Sequence, residues 1–292
     1  MKALSRLVAG GFWGDLARHR GGLFGLVVVG LFIVLAVTGR WIVPYDPNVG
    51  VITESLAEPS GAHLFGTDEL GRDILSRVIE GSRIAITVAF LSVGLALAFG
   101  MVIGIVAGYA GGVVDAVLTG GLDILFAFPM LLAAIIIVAV LGPGLLNAAL
   151  AIAIVYVPRF ARMARATTLS IRSSEFLEAA QLAGVRHGTI LIRHIFPNVL
   201  PSLIVLAALS MSTAQLSYAS LSFLGLGISP PQADWGNMLS KGRDFVTLAP
   251  WLIIWPTAAL VALMLAFNVL GDAVRDVLDP HHEAARPLAN SV

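Results

Sequence analysis

Charged residues are missing from long stretches of this chain, and the uncharged stretches recur at intervals that suit helices crossing a bilayer. Nineteen consecutive residues between Arg20 and Arg40 carry no charge, enough for one helix through a hydrocarbon core about 30 Å thick. Residues 84 to 114 are also uncharged and predict a second span near 85–108. A third uncharged interval, 124 to 158, is divided by Gly142-Pro143-Gly144, a turn signal. It reads as a helical hairpin, with a third span near 116–141 and a fourth near 145–162. A fifth span is expected near 198–226 and a sixth near 250–271. The fold expected from this pattern is all-α and polytopic, with six transmembrane helices.

The polar intervals organise the rest. The expected units are a tail over 1–22, a first span over 23–41, an external segment over 42–84, a five-helix core over 85–271 and a second tail over 272–292. Within the external segment, Thr67-Asp68 between Gly66 and Gly71 reads as a cap and turn before an amphipathic helix over 70–79. Six spans put both ends of the chain on one side, and Lys and Arg choose it. Lys2, Arg6, Arg18 and Arg20, six arginines in 159–197, and Arg275 and Arg286 make twelve on one side. The other side has six: Arg40, Arg72, Arg77, Arg83, Lys241 and Arg243. Both termini are therefore expected in the cytoplasm. The first apolar run is too long for a typical signal-peptide core, and no small-x-small site follows it before Arg40-Trp41, so it reads as a retained anchor.

Composition removes most other readings. Hydrophobic residues make up 58% and charged residues 12% of the 292, with a mean hydropathy of +0.90; soluble domains carry about twice that charged share. The formal net charge is zero, which offers no field for nucleic acid. There is no cysteine, hence no disulfide and no thiolate metal site. The span interiors lack acids, bases and histidines, the relays that ion-coupled transporters need. The two lysines, Lys2 and Lys241, lie outside any GxxxxGK[ST] context, so ATP is not expected to be hydrolysed on this chain. His281-His282 is a metal pair only superficially and reads as part of a solvated tail.

The loop over 159–197 carries six arginines between apolar neighbours, which suits a cytoplasmic surface for a soluble partner. Ser173-Ser174 can cap a short helix starting near Glu175, with Glu175 and Glu178 in its first turn. Ala179 and Ala180 allow close approach, Gly184 permits a tight turn, and Ile195-Phe196-Pro197 resets the chain before the next span. In the second span Gly100, Gly104 and Gly108 recur every four residues, a small-xxx-small stripe suited to helix packing. In the fifth, Ser210, Thr213, Ser217 and Ser220 share a helical face. They and Gln215 either line a polar route or pack between helices.

These motifs carry a family resemblance. Glu178-Ala179-Ala180 with Gly184 and Ile195-Phe196-Pro197 resembles the loop by which ABC-transporter permeases meet their ATPases. The run from His63 through Gly66, Asp68, Gly71, Arg72 and Asp73 to Arg77 resembles the dipeptide, oligopeptide and nickel permease group. So do Leu221 to Gly227, Pro230-Pro231 and Asp234-Trp235-Gly236, and the C-type subunit is the nearer match. The resemblance spans about residues 20 to 282. It implies the six-helix type I importer fold in a prokaryotic inner membrane and a heterodimer with a homologous second permease. It further implies two ATPase subunits or domains holding ATP and Mg, an external substrate-binding protein, and no cofactor on this chain. Gly66, Asp68, Gly71, Arg72, Asp73, Pro231 and Trp235 become candidates for an external gate or binding-protein contact. The expected cargo is a di- or oligopeptide, with nickel or a nickel chelate as the alternative; an ion-coupled transporter fits less well.

Overall fold

Five helices long and apolar enough to cross a membrane run through the described residues, 11–278, of the computed structural model, and a bent pair can supply a sixth crossing. In chain order they are α1 (Gly11–Arg18), α2 (Arg20–Ile42), α3 (Ile74–Ala110), α4 (Gly112–Phe126), α5 (Met130–Leu141) and α6 (Leu145–Arg172). Then come α7 (Glu175–Leu182), α8 (His187–Ile190), α9 (Phe196–Phe223), α10 (Trp235–Gly242) and α11 (Trp251–Leu278). Among the described residues the fold is helical, with one isolated bridge, Thr67 to Asp73. Lys2, Arg6, His281-His282 and Arg286 lie outside the described residues.

Five spans depart from the sequence expectation. The sixth runs seven residues beyond 271, to Leu278, taking Asp272 and Arg275 out of the expected tail, and four others differ as follows. The separate amphipathic helix expected over 70–79 is instead continuous with the second span, which begins at Ile74. Asp73 is its N-cap, accepting from Ser76 N at 2.8 Å, and Thr67-Asp68 belongs to the preceding loop. At 37 residues and about 1.5 Å per residue, α3 is about 55 Å long. It therefore outreaches the hydrocarbon and carries Arg77, Glu80 and Arg83 on its first turns. The third span is broken, with α4 and α5 meeting at 92°. Pro129 caps α5; it has no N–H to donate and drives Phe128 out of helical geometry.

The fourth span runs on to Arg172, taking Arg159, Arg162 and Arg165 out of the expected loop and onto a helix. The fifth begins at His187 as a continuous helix of 37 residues, through α8, a π turn over Leu191–Ile195 and α9. The wide turn precedes Pro197, which cannot donate to the carbonyl four residues back, and Phe196 N–H bonds Leu191 O instead.

Packing builds a small core of Leu16, Ala273 and Val274 between α1 and α11, and two large ones joined through α3 and α9. One gathers α3, α5, α6, the α7–α8 region and α9 around Tyr156, Phe160, Leu177, Ile190, Ile195 and Leu203. The other gathers α2, α3, α10 and α11 around Trp235, Leu263 and Phe267. At the α3–α6 contact, a Cβ on Gly100 would come within 2.5 Å of Phe160 Cβ, one on Gly104 within 2.6 Å of Ala164 Cβ, and one on Gly108 within 2.9 Å of Thr168 Cβ. Only glycine lets these backbones approach so closely.

Candidate functional site

The α7–α8 region hangs from the end of the bundle where α6 ends and α9 begins, and three side chains fasten it. Leu177, Ile190 and Ile195 are fully buried in the first core. Tyr109 OH, from the last turn of α3, is 2.6 Å from His187 Nδ1. The opposite face of α7 is open. Glu175, Glu178, Ala179 and Leu182 are exposed and follow i, i+3, i+4, i+7 spacing, so they form one face. Leu182 is 91% exposed and Phe176 50%, an unusual cost in water for a helix tip with nothing over it. Sequence reasoning singled out the glutamates and missed these two apolar residues. The signal for Leu182 was periodicity: it falls seven residues after Glu175, on the acidic face, while Leu177, which anchors, falls opposite.

Gly184 closes α7. It takes φ +74°, and the Val185 N–H donates to Ala180 O at 3.1 Å across it, the left-handed C-terminal motif that glycine favours. A Cβ there would meet nothing within 4 Å, so conformation rather than space demands glycine within this chain. The expected side-chain cap from Ser173-Ser174 is replaced: both hydroxyls turn back, donating to Ser170 O and Ile171 O. Pro197 lies within the first turn of α9, half-buried.

Ion pairs bind α4 to α6 near the same end. Arg165 donates twice to Asp115, at 2.5 Å each, a bidentate geometry. Arg162 pairs with Asp123 at 2.7 Å and lies 3.8 Å from the Phe126 ring centroid. A broken helix faces hydrocarbon badly, because its freed backbone groups need partners. Exposed charges on the same seam suit contact with water or protein rather than lipid.

The hydroxyls of α9 divide. Ser210 is buried, Thr213 is exposed, and Ser217 and Ser220 are partly buried. Thr213, Ser217 and Ser220 donate to backbone carbonyls of the preceding turn, and Tyr156 OH comes within 3.5 Å of Ser217 Oγ. Gln215 is buried and lies about 140° around the helix from Ser210, so it does not share their face. Its Oε1 and the Ser210 Oγ have no hydrogen-bond partner among the described residues.

At the far end, the segment over 43–73 folds onto α3, α10 and α11. Arg72 Nε donates to Asp68 at 2.6 Å, and Asp73 also meets His63 Nδ1 at 2.9 Å. Arg77 Nη1 donates to Pro47 O at 2.6 Å and Pro231 O at 3.2 Å. Gly66 and Gly71 have φ of +78° and +74°, and a Cβ on Gly66 would meet Trp251 Nε1 at 2.7 Å. The Trp235 indole donates to Val78 O at 3.0 Å, and Trp251 to Thr67 O at 3.1 Å. Of the seven residues picked out here from the sequence, six are buried within the chain and Pro231 is exposed. Asp234, also buried, accepts from Ser222 Oγ, Tyr218 OH and Gly236 N; burial nevertheless pushes its carboxyl above the usual range.

Comparison with known proteins identifies the family. Residues 100–283 match the family described as binding-protein-dependent transport system inner membrane component. Residues 9–59 match the N-terminal TM domain of oligopeptide transport permease C. A dipeptide transport system permease protein DppC of Alkalihalophilus pseudofirmus is 42% identical over 91% of this chain and 88% of its own length. A glutathione transport system permease protein GsiD of Escherichia coli is 42% identical over 92% of this chain and 89% of its own. In structure, the MetNI methionine ABC transporter in inward facing conformations gives a TM-score of 0.58, over 69% of this chain and 96% of that one, at 18% identity. That last likeness concerns the fold alone. The chain thus belongs to the binding-protein-dependent permeases of ABC importers, in the C-type branch of the dipeptide, oligopeptide and nickel group.

Proposed function

We propose that this chain is the C-type permease of an importer that carries di- or oligopeptides and is driven by ATP hydrolysed on other chains. The observation that carries the coupling part is the open face of α7, with Glu175, Glu178, Ala179 and Leu182 outward while Leu177, Ile190 and Ile195 tie its back to the bundle. A small amphipathic face fastened to two spans transmits the displacement of a docked partner without losing it to loop motion. The partners in this reading are two ATPase subunits or domains holding ATP and Mg, a homologous second permease and an external substrate-binding protein. Both termini and α7 lie in the cytoplasm, in the inner membrane of a prokaryote. ATP-driven closure of the ATPases pushes α7, opens the paired bundles outward to receive cargo, and hydrolysis returns them. This chain is a permease subunit and no enzyme itself.

Peptide cargo rests on the relatives, which are named for dipeptide, di/tripeptide and glutathione transport at 39–42% identity. These cargoes share amide-linked chains with free charged ends. The test is co-expression with the neighbouring permease, ATPase and binding-protein genes, reconstitution in vesicles, and uptake of a labelled dipeptide, a longer peptide, glutathione and nickel. Peptide uptake that requires ATP and is lost with Glu178→Arg plus Leu182→Asp supports the reading. Nickel uptake alone overturns the cargo, and uptake indifferent to ATP overturns the mechanism.

A further inference from the structure

At the far end of the bundle, a groove of about 410 Å³ opens between α2 and α3, and its lining changes character with depth. On α2, Ile33, Val37 and Arg40 line it at i, i+4, i+7, one helical face. On α3, Glu80 and Arg83 line it near the helix start, and Ile86 and Thr87 lie deeper. The charged groups therefore sit where both helices leave the apolar zone, and the branched aliphatic side chains sit inside it. Trp41, beside them, is 71% exposed, with the Arg40 guanidinium 5.4 Å from its ring centroid. An exposed indole at that level belongs at a membrane–water boundary.

We infer that this groove binds a glycerophospholipid whose headgroup carries one phosphate, one primary ammonium and no further charge, that is, phosphatidylethanolamine. Two guanidinium groups, one from each helix, match a phosphodiester in charge and in donor geometry. Glu80 is the discriminating group. Its Oε1 is 3.9 Å from Arg83 Nη1, beyond hydrogen-bond range, so its carboxylate keeps acceptor capacity toward the groove. With two cations and one anion the lining has a net charge of +1, and a headgroup with one anion and one N–H-bearing cation pairs with all three. A glycerol headgroup brings hydroxyl donors but no cation to Glu80, and a choline headgroup brings a cation with no N–H to donate. One acyl chain then runs down Ile33, Val37 and Ile86, which face hydrocarbon already. This site is independent of the cargo and of the ATPase-coupling reading.

The experiment uses the full purified chain, stripped of lipid in mild detergent and offered equal amounts of phosphatidylethanolamine, phosphatidylcholine and phosphatidylglycerol. Retained lipid is counted by native mass spectrometry. The ethanolamine lipid should be retained roughly three-fold over each of the others, the scale of one exposed ion pair. Arg40→Gln with Arg83→Gln should abolish the preference while helical circular dichroism is unchanged. Should that double variant fail to insert, Glu80→Gln alone decides: it should remove the preference over phosphatidylglycerol. Equal retention of the three lipids, a preference for phosphatidylglycerol in the unmodified chain, or a preference untouched by Glu80→Gln would each overturn the assignment.

Discussion

Gly104→Ala is the smallest substitution that tests how this bundle is held together. The added Cβ would come within 2.6 Å of Ala164 Cβ and 2.9 Å of Arg165 N, and it would overlap Ala161 O. Ordinary contact begins near 3.4 Å, so α3 and α6 must separate by about 0.8 Å at that point even to relieve Ala164. Two of the three nearest atoms are backbone, which cannot rotate away. Overpacking of this kind costs about 1–3 kcal/mol, offset by up to about 1 kcal/mol that alanine gains over glycine in a helix interior. Gly94→Ala, on the same helix, meets nothing within 4 Å and carries the propensity gain alone. The two variants should therefore differ by about 2 kcal/mol, or about 3 °C in apparent unfolding temperature for a chain of this length, with Gly94→Ala the more stable. Thermal unfolding of both in one detergent measures it, and coincident curves would refute the claim that close backbone approach at Gly104 sets α3 against α6.

Gly184→Ala places a Cβ at φ +74°, which should cost about 1 kcal/mol locally, loosen the end of α7 in hydrogen exchange and leave global unfolding unchanged; unchanged protection at Val185 would count against it. Asp73→Ala removes an N-cap and leaves His63 without that partner, an expected loss of about 2–3 kcal/mol, whereas Asp73→Asn keeps the cap and should lose less; equal losses would refute the capping role. The raised pKa of Asp234 gives a pH prediction. Its folded state binds the proton more tightly than the unfolded chain, so this contribution is complete below the unfolded value near 4 and is lost as pH rises through the folded value. Unmodified chain should thus lose stability faster than Asp234→Asn as pH rises above about 4, and parallel slopes would contradict it.

Much of this was legible in the order of residues because a bilayer imposes a simple rule. Uncharged runs of about twenty residues have few other homes, so the all-helical class and the approximate spans followed from where charges are missing. The turn that closes α7 was legible for a local reason too: Gly184 must reach a left-handed conformation at a helix end, and glycine does so readily. Boundaries were less legible. Arginines on α6 read as loop because charge was taken as the edge of a helix, yet α6 simply extends past the apolar zone to Arg172. The break at Pro129 had a signal, a proline after Phe128, but the continuous hydrophobicity around it outweighed it.

The sequence by itself determined the solvent of this protein and the period of its elements, since both depend on residue type and spacing alone. Only the tertiary structure decided which face of each helix meets what. It turned the far-end motif inward, burying Asp68, Arg72, Asp73 and Trp235 against α3, α10 and α11. It also turned Ser210 and Gln215 into the protein while leaving Thr213 exposed, and it left Leu182 uncovered. The physical reason is that a helix fixes the angle between its own side chains, while the rotation of each helix about its axis is set by close contacts between residues far apart in the chain, such as Gly104 with Ala164.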